Sequence, residues 1–280
     1  MNLYKTTSGI YVSNNDEFFL LEEDWDQLVN RDELFSYLKD CILGKTAIED
    51  KSWQNSILAP IGNQEVWAAG VTYLRSRDAR MEESKNAGGA DFYSMVYNAE
   101  RPELFFKALP HRVVGPNKKV FIRKDSKWNV PEPELTLFIN SKGNIQGYTI
   151  GNDMSSRDIE GENPLYLPQA KVYNNSAALG PSLFVPEHPI SLETEIKIMI
   201  RRNAATIFEN AIQLNKMKRN FTELVEYLFR EYDFEKGAYL MTGTGMIPPN
   251  DFTLMIGDEI SITVDDIGTL TNSVAERSTP

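Results

Sequence analysis

Two glutamates and one aspartate are the residues whose types and spacing most directly suggest chemistry. Glu132 and Glu134 stand two positions apart before an apolar run, so in an extended strand both side chains lie on the same face. Residues 141–144, Ser-Lys-Gly-Asn, are typical of a tight turn, and the strand that returns from them ends at Asp153. Three converging carboxylates repel one another unless a cation lies between them. Oxygen-only ligation predicts Mg²⁺, with Mn²⁺ or Ca²⁺ as alternatives, rather than Zn²⁺.

The elements that must position these acids are the two strands of a hairpin. Residues 135–139 and 145–150 are rich in Leu, Ile, Thr and aromatic residues, which is typical of strands. The 3.6-residue apolar pattern predicts helices over residues 25–43 and 221–232, the second of them capped by Asn220. A Glu-X-Glu pair is by itself more often the solvated edge of a strand, so the metal hypothesis needs support from the rest of the chain.

Composition and charge limit the classes of protein that fit. The chain has 280 residues and a net charge of −11, so it lacks the concentrated basic surface that nucleic acid requires. No run approaches the roughly 18 apolar residues of a membrane span, and the N-terminus lacks the apolar segment of a secretory signal. A single cysteine, Cys41, excludes an internal disulfide, and two histidines, His111 and His188, exclude a histidine-rich metal site. We therefore expect a cytoplasmic protein that binds neither nucleic acid nor membranes.

Several further motifs resemble those of the fumarylacetoacetate hydrolase family. They are, in chain order, 101–107, the Glu-X-Glu pair, 151–158, Lys171, 178–182 and the Thr-Gly-Thr of residues 242–244. The resemblance implies a mixed, mostly β catalytic domain with a β-roll over residues 63–280. It also implies a divalent cation held by Glu132, Glu134 and Asp153, and a homodimer or homotetramer. The strand and helix patterns that precede the turn at residues 60–63 predict a small N-terminal α/β domain over residues 1–62, so we expect an α+β, mostly β fold.

The resemblance also implies roles for residues around the acids. In the family, the lysine that matches Lys171 points at the metal-bound substrate, although a lysine in such a loop is more often solvated. Glu103 lies in the motif that leads to the metal, and it is otherwise the charge at a strand edge. We take Glu103 and Lys171 as candidate catalytic residues. Lys107 and Thr244, from the first and last of these motifs, are candidate substrate-binding residues.

A third set of candidates lies where the family carries a Gly-X-Asn-Tyr-X-X-His stretch on a mobile lid. Here the matching residues are 73–76, Tyr-Leu-Arg-Ser, and the histidine that acts as a base in the hydrolases is absent. Arg75, Ser76 and Arg77 are therefore assigned to binding of an anionic substrate. The alternative is an exposed, salt-bridged helix, which is the usual structure for a sequence so rich in both charges.

The absent histidine makes the chain most similar to the branch of the family that dehydrates 2-keto-3-deoxy-arabinonate. The expected reaction is removal of a C3 proton to give a metal-stabilised enolate, loss of the C4 hydroxyl, and rearrangement to a semialdehyde such as 2-oxoglutarate semialdehyde. An acylpyruvate-type hydrolase or an oxaloacetate decarboxylase, with Glu82 or Glu83 replacing the histidine, is the alternative. A non-catalytic protein that binds a sugar acid is the third hypothesis.

Overall fold

The computed structural model describes residues 1–83 and 90–278, and strands predominate over helices in it. The strands are β1 Asn2–Thr6, β2 Gly9–Asn14, β3 Glu17–Leu21, β4 Glu65–Gly70, β5 Glu103–Ala108, β6 Val113–Val114, β7 Lys119–Ile122, β8 Asn129–Val130, β9 Pro133–Ile139, β10 Ile145–Asp153, β11 Ser155–Ser156, β12 Ala177–Phe184, β13 Glu195–Arg202, β14 Ala205–Gln213, β15 Ala238–Met241, β16 Glu259–Val264 and β17 Gly268–Glu276. The helices are α1 Trp25–Val29, α2 Leu34–Ile42, α3 Leu74–Glu83, α4 Ala90–Asn98, α5 Arg157–Glu162, α6 Leu167–Lys171 and α7 Phe221–Phe229. No helix in the described part of the chain is long and apolar enough to cross a membrane.

The hairpin that carries the acids lies inside the larger sheet. Among the described residues this sheet has ten strands, in the order β3-β2-β1-β12-β10-β9-β15-β4-β5, with β6 paired to β12. β9 and β10 are antiparallel, with Glu134 opposite Gly151. The Asn140 side chain accepts hydrogen bonds from the backbone N–H groups of Lys142 and Asn144, which closes the turn. The hairpin predicted from the sequence is confirmed.

Alternation along β9 separates two apolar cores. Leu135, Leu137 and Ile139 face a core shared with α7 and with the second sheet, which has five strands among the described residues, in the order β14-β13-β16-β17-β7. Phe138 faces the opposite core, which contains α1 and α2. Because side chains alternate along a strand, Glu134 lies on the same face as Phe138. Both sheets mix parallel and antiparallel pairs, so the predicted α+β, mostly β architecture is confirmed.

The N-terminal segment extends the larger sheet. β1 pairs with β12, so the first hairpin adds strands to one side of the sheet that carries the acids. The boundary between two domains at residue 62 stays a prediction. Strands β1, β2 and β3 precede this boundary in the chain.

The predicted helix over residues 25–43 is wrong in one respect, because the chain forms two helices, α1 and α2, with a break between them. At the break, Glu33 adopts a left-handed conformation. Asp32 accepts hydrogen bonds from Asn140, Lys142 and Asn144 of the β9–β10 turn, so a distant contact interrupts a helical pattern. The start of α7 is as predicted, since the Asn220 side chain accepts a hydrogen bond from the Glu223 N–H at 2.7 Å.

Asp26 of α1 ties the N-terminal segment to the strand that leads into the site. Its carboxylate accepts hydrogen bonds from the Asn63 N–H at 3.0 Å and from the Gln64 side chain at 2.8 Å. Burial opposes ionisation, but these donors hold the pKa of Asp26 below its ordinary value. We expect Asp26→Ala to lower the free energy of unfolding in urea by about 2 to 4 kcal/mol, because buried donors lose their acceptor. The exposed Glu22→Ala is the matched control.

The loss of unfolding free energy in Asp26→Ala should become smaller as the pH falls. A carboxyl group with a lowered pKa in the folded protein stabilises it above the unfolded pKa, and this stabilisation is lost as the pH falls through the folded value. The difference in unfolding free energy between the wild type and Asp26→Ala should therefore be full at neutral pH and shrink below pH 3.8, the ordinary value for aspartate. Equal stabilities of the two proteins at pH 7 would contradict this account.

Candidate metal centre and active site

Glu132, Glu134 and Asp153 come together at one end of the β9–β10 hairpin. One carboxylate oxygen from each lies within 4.8 Å of the others, and all three residues are buried. The final rung of the hairpin brings the strands into register, because the Asp153 N–H donates to the Glu132 carbonyl at 2.9 Å. The sequence prediction of a convergent acidic cluster agrees with this geometry, whereas the alternative of a solvated strand edge does not.

Two buried lysines neutralise part of this charge. Lys171 Nζ lies 2.6 Å from Glu132 Oε2 and 3.0 Å from Asp153 Oδ2. Lys107 Nζ lies 2.5 Å from Asp153 Oδ1 and donates to the Met154 carbonyl at 3.0 Å and the Lys171 carbonyl at 2.5 Å. Lys107 therefore connects Asp153 to the last residue of α6. Lys171 contacts two of the acids, Glu132 and Asp153.

Glu132 is surrounded by cations. Its Oε1 lies 2.7 Å from an Arg157 nitrogen and 3.5 Å from an Arg80 nitrogen, in addition to the Lys171 contact at Oε2. Burial alone would raise the pKa of Glu132, but Lys171, Arg157 and Arg80 together lower it below its ordinary value. These three cations therefore hold Glu132 in its ionised form.

Glu134 has the opposite environment. Burial, followed by the charges of Asp153 and Glu132, raises its pKa well above the ordinary value. The charge of Lys171 and the hydrogen bond from the Gly243 N–H at 2.6 Å only partly oppose this. A divalent cation among the three acids would remove the repulsion that makes ionised Glu134 costly. The donor set, which is three carboxylates with no sulfur or imidazole, fits a hard cation such as Mg²⁺.

A cleft beside the acidic cluster is lined by Glu132, Asp153 and Lys171, and Glu103 of β5 also lines it. Glu103, Phe105 and Lys107 alternate with residues on the other face of the strand, and the first of them lies opposite Gly70 of β4. Burial of its carboxyl group raises the pKa of Glu103, while the charges of Arg80 and Lys171 lower it less strongly. A carboxyl group whose pKa is raised towards neutrality can exchange protons with a substrate.

The position of Glu103 depends on the missing side chain at Gly70. A Cβ atom added at Gly70 would lie 2.0 Å from Glu103 Oε2, which is closer than nonbonded atoms approach. We expect Gly70→Ala to displace the carboxylate and to reduce turnover at least about tenfold, since misplacement of a reacting group is costly. Turnover and the thermal midpoint of unfolding should be measured together. An unchanged kcat in a folded Gly70→Ala protein would show that Glu103 needs no such space.

The remaining predicted residues divide into two groups. Ser76 and Thr244 are buried and line the cleft, where the Ser76 hydroxyl donates to the Tyr73 carbonyl at 2.7 Å. Arg75 is exposed, while Arg77 pairs with Asp78 at 2.6 Å and lies over the Tyr97 ring. Neither arginine is among the residues that line the cleft in the described part of the chain. The geometry therefore does not support the assignment of Arg75 and Arg77 to the substrate.

Arg80, which the sequence reasoning missed, occupies the place expected of those arginines. It is buried, lines the cleft and contacts both Glu132 and Glu160. Ser76 and Arg80 are four residues apart on α3, so they share one face of the helix, whereas residues 75 and 77 lie on others. This spacing from Ser76 was the available signal.

Arg157 was also missed, and no local signal distinguishes it. It opens α5 with its side chain buried, and its guanidinium reaches Glu132 across the end of the hairpin. In the Thr-Gly-Thr motif, the Gly243 N–H donates to the Glu134 carboxylate. Of the acids in the hydrolase alternative, Glu82 is exposed, and the side chain of Glu83 lies outside the described part of the structure.

The chain is similar to a known protein family and to proteins that are named dehydratases. The family model described as fumarylacetoacetate (FAA) hydrolase C-terminal matches residues 66–275. A 2-dehydro-3-deoxy-D-arabinonate dehydratase from Saccharolobus solfataricus is 38% identical over 99% of this chain and 97% of its own. A probable 2-keto-3-deoxyxylonate dehydratase from Haloferax volcanii is 45% identical over 81% of this chain and 78% of its own. A solved structure of 2-keto-3-deoxy-D-arabinonate dehydratase complexed with magnesium and 2,5-dioxopentanoate covers 100% of both chains with a TM-score of 0.85 and 33% identity.

Proposed function

We propose that this chain, which belongs to the fumarylacetoacetate hydrolase family, is a Mg²⁺-dependent hydro-lyase that dehydrates a 2-keto-3-deoxy-pentonate to 2,5-dioxopentanoate, the semialdehyde of 2-oxoglutarate. The observation that carries the proposal is the buried group of three carboxylates, two of which, Glu132 and Asp153, line one cleft together with Glu103 and Lys171. The dehydratases named above, similar to this chain over most or all of their length, support the choice of substrate class.

The cation would be held by Glu132, Glu134 and Asp153. When bound, it supplies a positive charge that orients the carboxylate and 2-oxo oxygens of the substrate and stabilises the charge that develops on the latter as C3 loses its proton. Arg80 and Arg157 add positive charge at the same side of the cleft, next to Glu132 Oε1. An anionic substrate is therefore attracted to the cleft of an otherwise acidic protein.

Glu103 and Lys171 are the proton-transfer pair of the proposal. The Glu103 carboxylate removes the C3 proton, for which its raised pKa suits it. The Lys171 ammonium group, held between two carboxylates, donates a proton to the C4 hydroxyl as the C4–O bond breaks. The product with a C3=C4 double bond then tautomerises to the aldehyde: one proton leaves C5 and one leaves the C5 hydroxyl, while C3 and C4 each gain a proton, so that one molecule of water is lost overall.

The direct test supplies the substrate and detects the aldehyde. The purified protein with Mg²⁺ is incubated separately with 2-keto-3-deoxy-arabinonate and 2-keto-3-deoxy-xylonate, and 2,5-dioxopentanoate is measured through an NAD(P)⁺-dependent aldehyde dehydrogenase. The proposal expects product that disappears with EDTA and returns with added Mg²⁺. Absence of product, together with cleavage of an acylpyruvate or decarboxylation of oxaloacetate, would instead support the hydrolase or decarboxylase alternative.

We also propose that the chain forms a homodimer or homotetramer, as the family resemblance implies. Met255 and Ile256 are adjacent apolar residues, 51% and 63% exposed, and contact with a second copy would bury them. Light scattering coupled to size-exclusion chromatography gives the mass directly, and a single monomeric mass at micromolar concentration would contradict the proposal. A cytoplasmic location remains a prediction.

A further inference from the structure

Helix α3 is connected to helix α5 by a buried ion pair whose acid, Glu160, has no role in the proposed chemistry. Arg80 of α3 and Glu160 of α5 are 8% and 1% exposed, and an Arg80 nitrogen contacts Glu160 Oε1. The pair joins a helix above the cleft to the helix that supplies Arg157. A buried charge is tolerated only when it is paired, so neither side chain is free to turn towards solvent without cost.

Glu160 is itself fixed on its other side. The Ser155 hydroxyl donates to Glu160 Oε2 at 3.0 Å, while Oε1 faces Arg80, so each carboxylate oxygen has its own contact. With one nitrogen held in this way, a second nitrogen of the planar Arg80 guanidinium points to Glu132 Oε1 at 3.5 Å. These successive contacts thus connect α5, α3 and the residue that precedes β9. They run from Ser155 to Glu160, from Glu160 to Arg80 and from Arg80 to Glu132.

Helix α3 has little apolar surface with which to hold itself in place. Its larger apolar residues are Leu74 and Met81, and Leu74 is 50% exposed. The other side chains of α3, apart from the small Ala79, are polar or charged. An apolar stripe normally anchors a helix to its domain. Because α3 has so few apolar residues, polar contacts such as the one between Arg80 and Glu160 contribute to its position.

We propose that Glu160 is a positioning residue that holds Arg80, and with it helix α3, over the cleft. The proposal rests on the proposed function in one respect, namely that Arg80 faces an anionic substrate. Glu160 touches no reacting atom. It fixes the direction of the Arg80 guanidinium, and it keeps α3 closed over the acids. Loss of Glu160 therefore weakens substrate binding more than it slows the chemical step.

Two measurements test this role on Glu160→Gln, with Glu162→Gln of the same helix as the matched control because Glu162 is exposed. We expect the KM of Glu160→Gln for the 2-keto-3-deoxy-pentonate to rise about tenfold or more, since a buried charge loses its partner, while kcat changes less. Hydrogen exchange of the backbone amides of residues 74–83 should accelerate in Glu160→Gln and not in Glu162→Gln. Glu160→Asp, which keeps the charge, should recover part of both properties.

The exchange measurement keeps this inference separate from the proposed function. If the wild-type protein dehydrates no sugar acid, the proposed function fails, and exchange in α3 still decides whether Glu160 holds the helix. Unchanged exchange and unchanged KM in Glu160→Gln would overturn the inference.

If Glu160→Gln does not fold, the double variant Arg80→Gln with Glu160→Gln takes its place, because it leaves no unpaired charge of the ion pair. The KM of the double variant should equal that of Arg80→Gln alone, since Glu160 acts through Arg80. A further rise in KM would contradict this role.

Discussion

Glu134→Gln is expected to lose Mg²⁺-dependent turnover by roughly 1,000-fold or more, because a bound cation contributes several kcal/mol to such reactions. Glutamine keeps the shape of the side chain and can still accept the hydrogen bond from the Gly243 N–H. It removes one of the three anionic ligands. Titration calorimetry with Mg²⁺ or Mn²⁺ should show binding to the wild type and a large loss of affinity in Glu134→Gln, with the exposed Glu226→Gln as the control.

Although Glu134→Gln should lose turnover, its free energy of unfolding without a bound metal should not fall. A carboxyl group with a raised pKa binds more protons in the folded protein than in the unfolded chain, so folding stability falls as the pH rises from the ordinary glutamate value, 4.5, through the folded value. Glu134→Gln removes this cost. In the presence of EDTA at neutral pH, its free energy of unfolding should therefore equal or exceed that of the wild type. A variant that is both inactive and strongly destabilised in EDTA would indicate a structural role for Glu134.

Glu103→Gln is the second substitution with a large expected effect. If Glu103 removes the C3 proton, its loss should lower kcat by about 100- to 10,000-fold, the usual contribution of a general base. The KM should change little, because the amide fits the space beside Gly70 and the cation and arginines that bind the substrate remain. Steady-state kinetics on a protein with an unchanged thermal midpoint measures this separation of kcat from KM.

The pH dependence of kcat/KM tests the role of Glu103 as the base separately from the size of the fall in kcat. Only the ionised carboxylate acts as a base, so wild-type kcat/KM should rise with pH through the pKa of Glu103, which burial places above the ordinary value of 4.5. This ascending limb should be missing from the residual activity of Glu103→Gln. A Glu103→Gln enzyme with a kcat within a few-fold of the wild type would transfer the role of base to another residue, with Lys171 as the first candidate.

The parts of the site that the sequence predicted are those determined by local geometry. Strand alternation and a four-residue turn are enough to bring Glu132, Glu134 and Asp153 together, and the hairpin of β9 and β10 has this form. The family resemblance added Glu103 and Lys171, and both line the cleft with Glu132 and Asp153. The resemblance itself is confirmed by the family model that matches residues 66–275.

The parts that were missed depend on contacts between distant segments. Arg80 reaches Glu160 and Glu132 across 80 and 52 positions of the chain. The spacing from Ser76 places Arg80 on the same helix face, but the acids that this face meets come from distant segments. The close approach of Gly70 to Glu103 is also a tertiary contact, set by the register of β4 and β5. The break between α1 and α2 has the same origin, since Asp32 binds the β9–β10 turn more than 100 residues away.

The most direct measurement of the central claim is the anomalous scattering of a crystal soaked with Mn²⁺ and pyruvate, a 2-oxo acid too short to be dehydrated. The account predicts a single strong peak between the carboxylates of Glu132, Glu134 and Asp153, with the pyruvate oxygens completing its ligands and the pyruvate methyl group facing Glu103. A crystal that binds Mn²⁺ elsewhere, with these three carboxylates unchanged and pyruvate absent from the cleft, would contradict it.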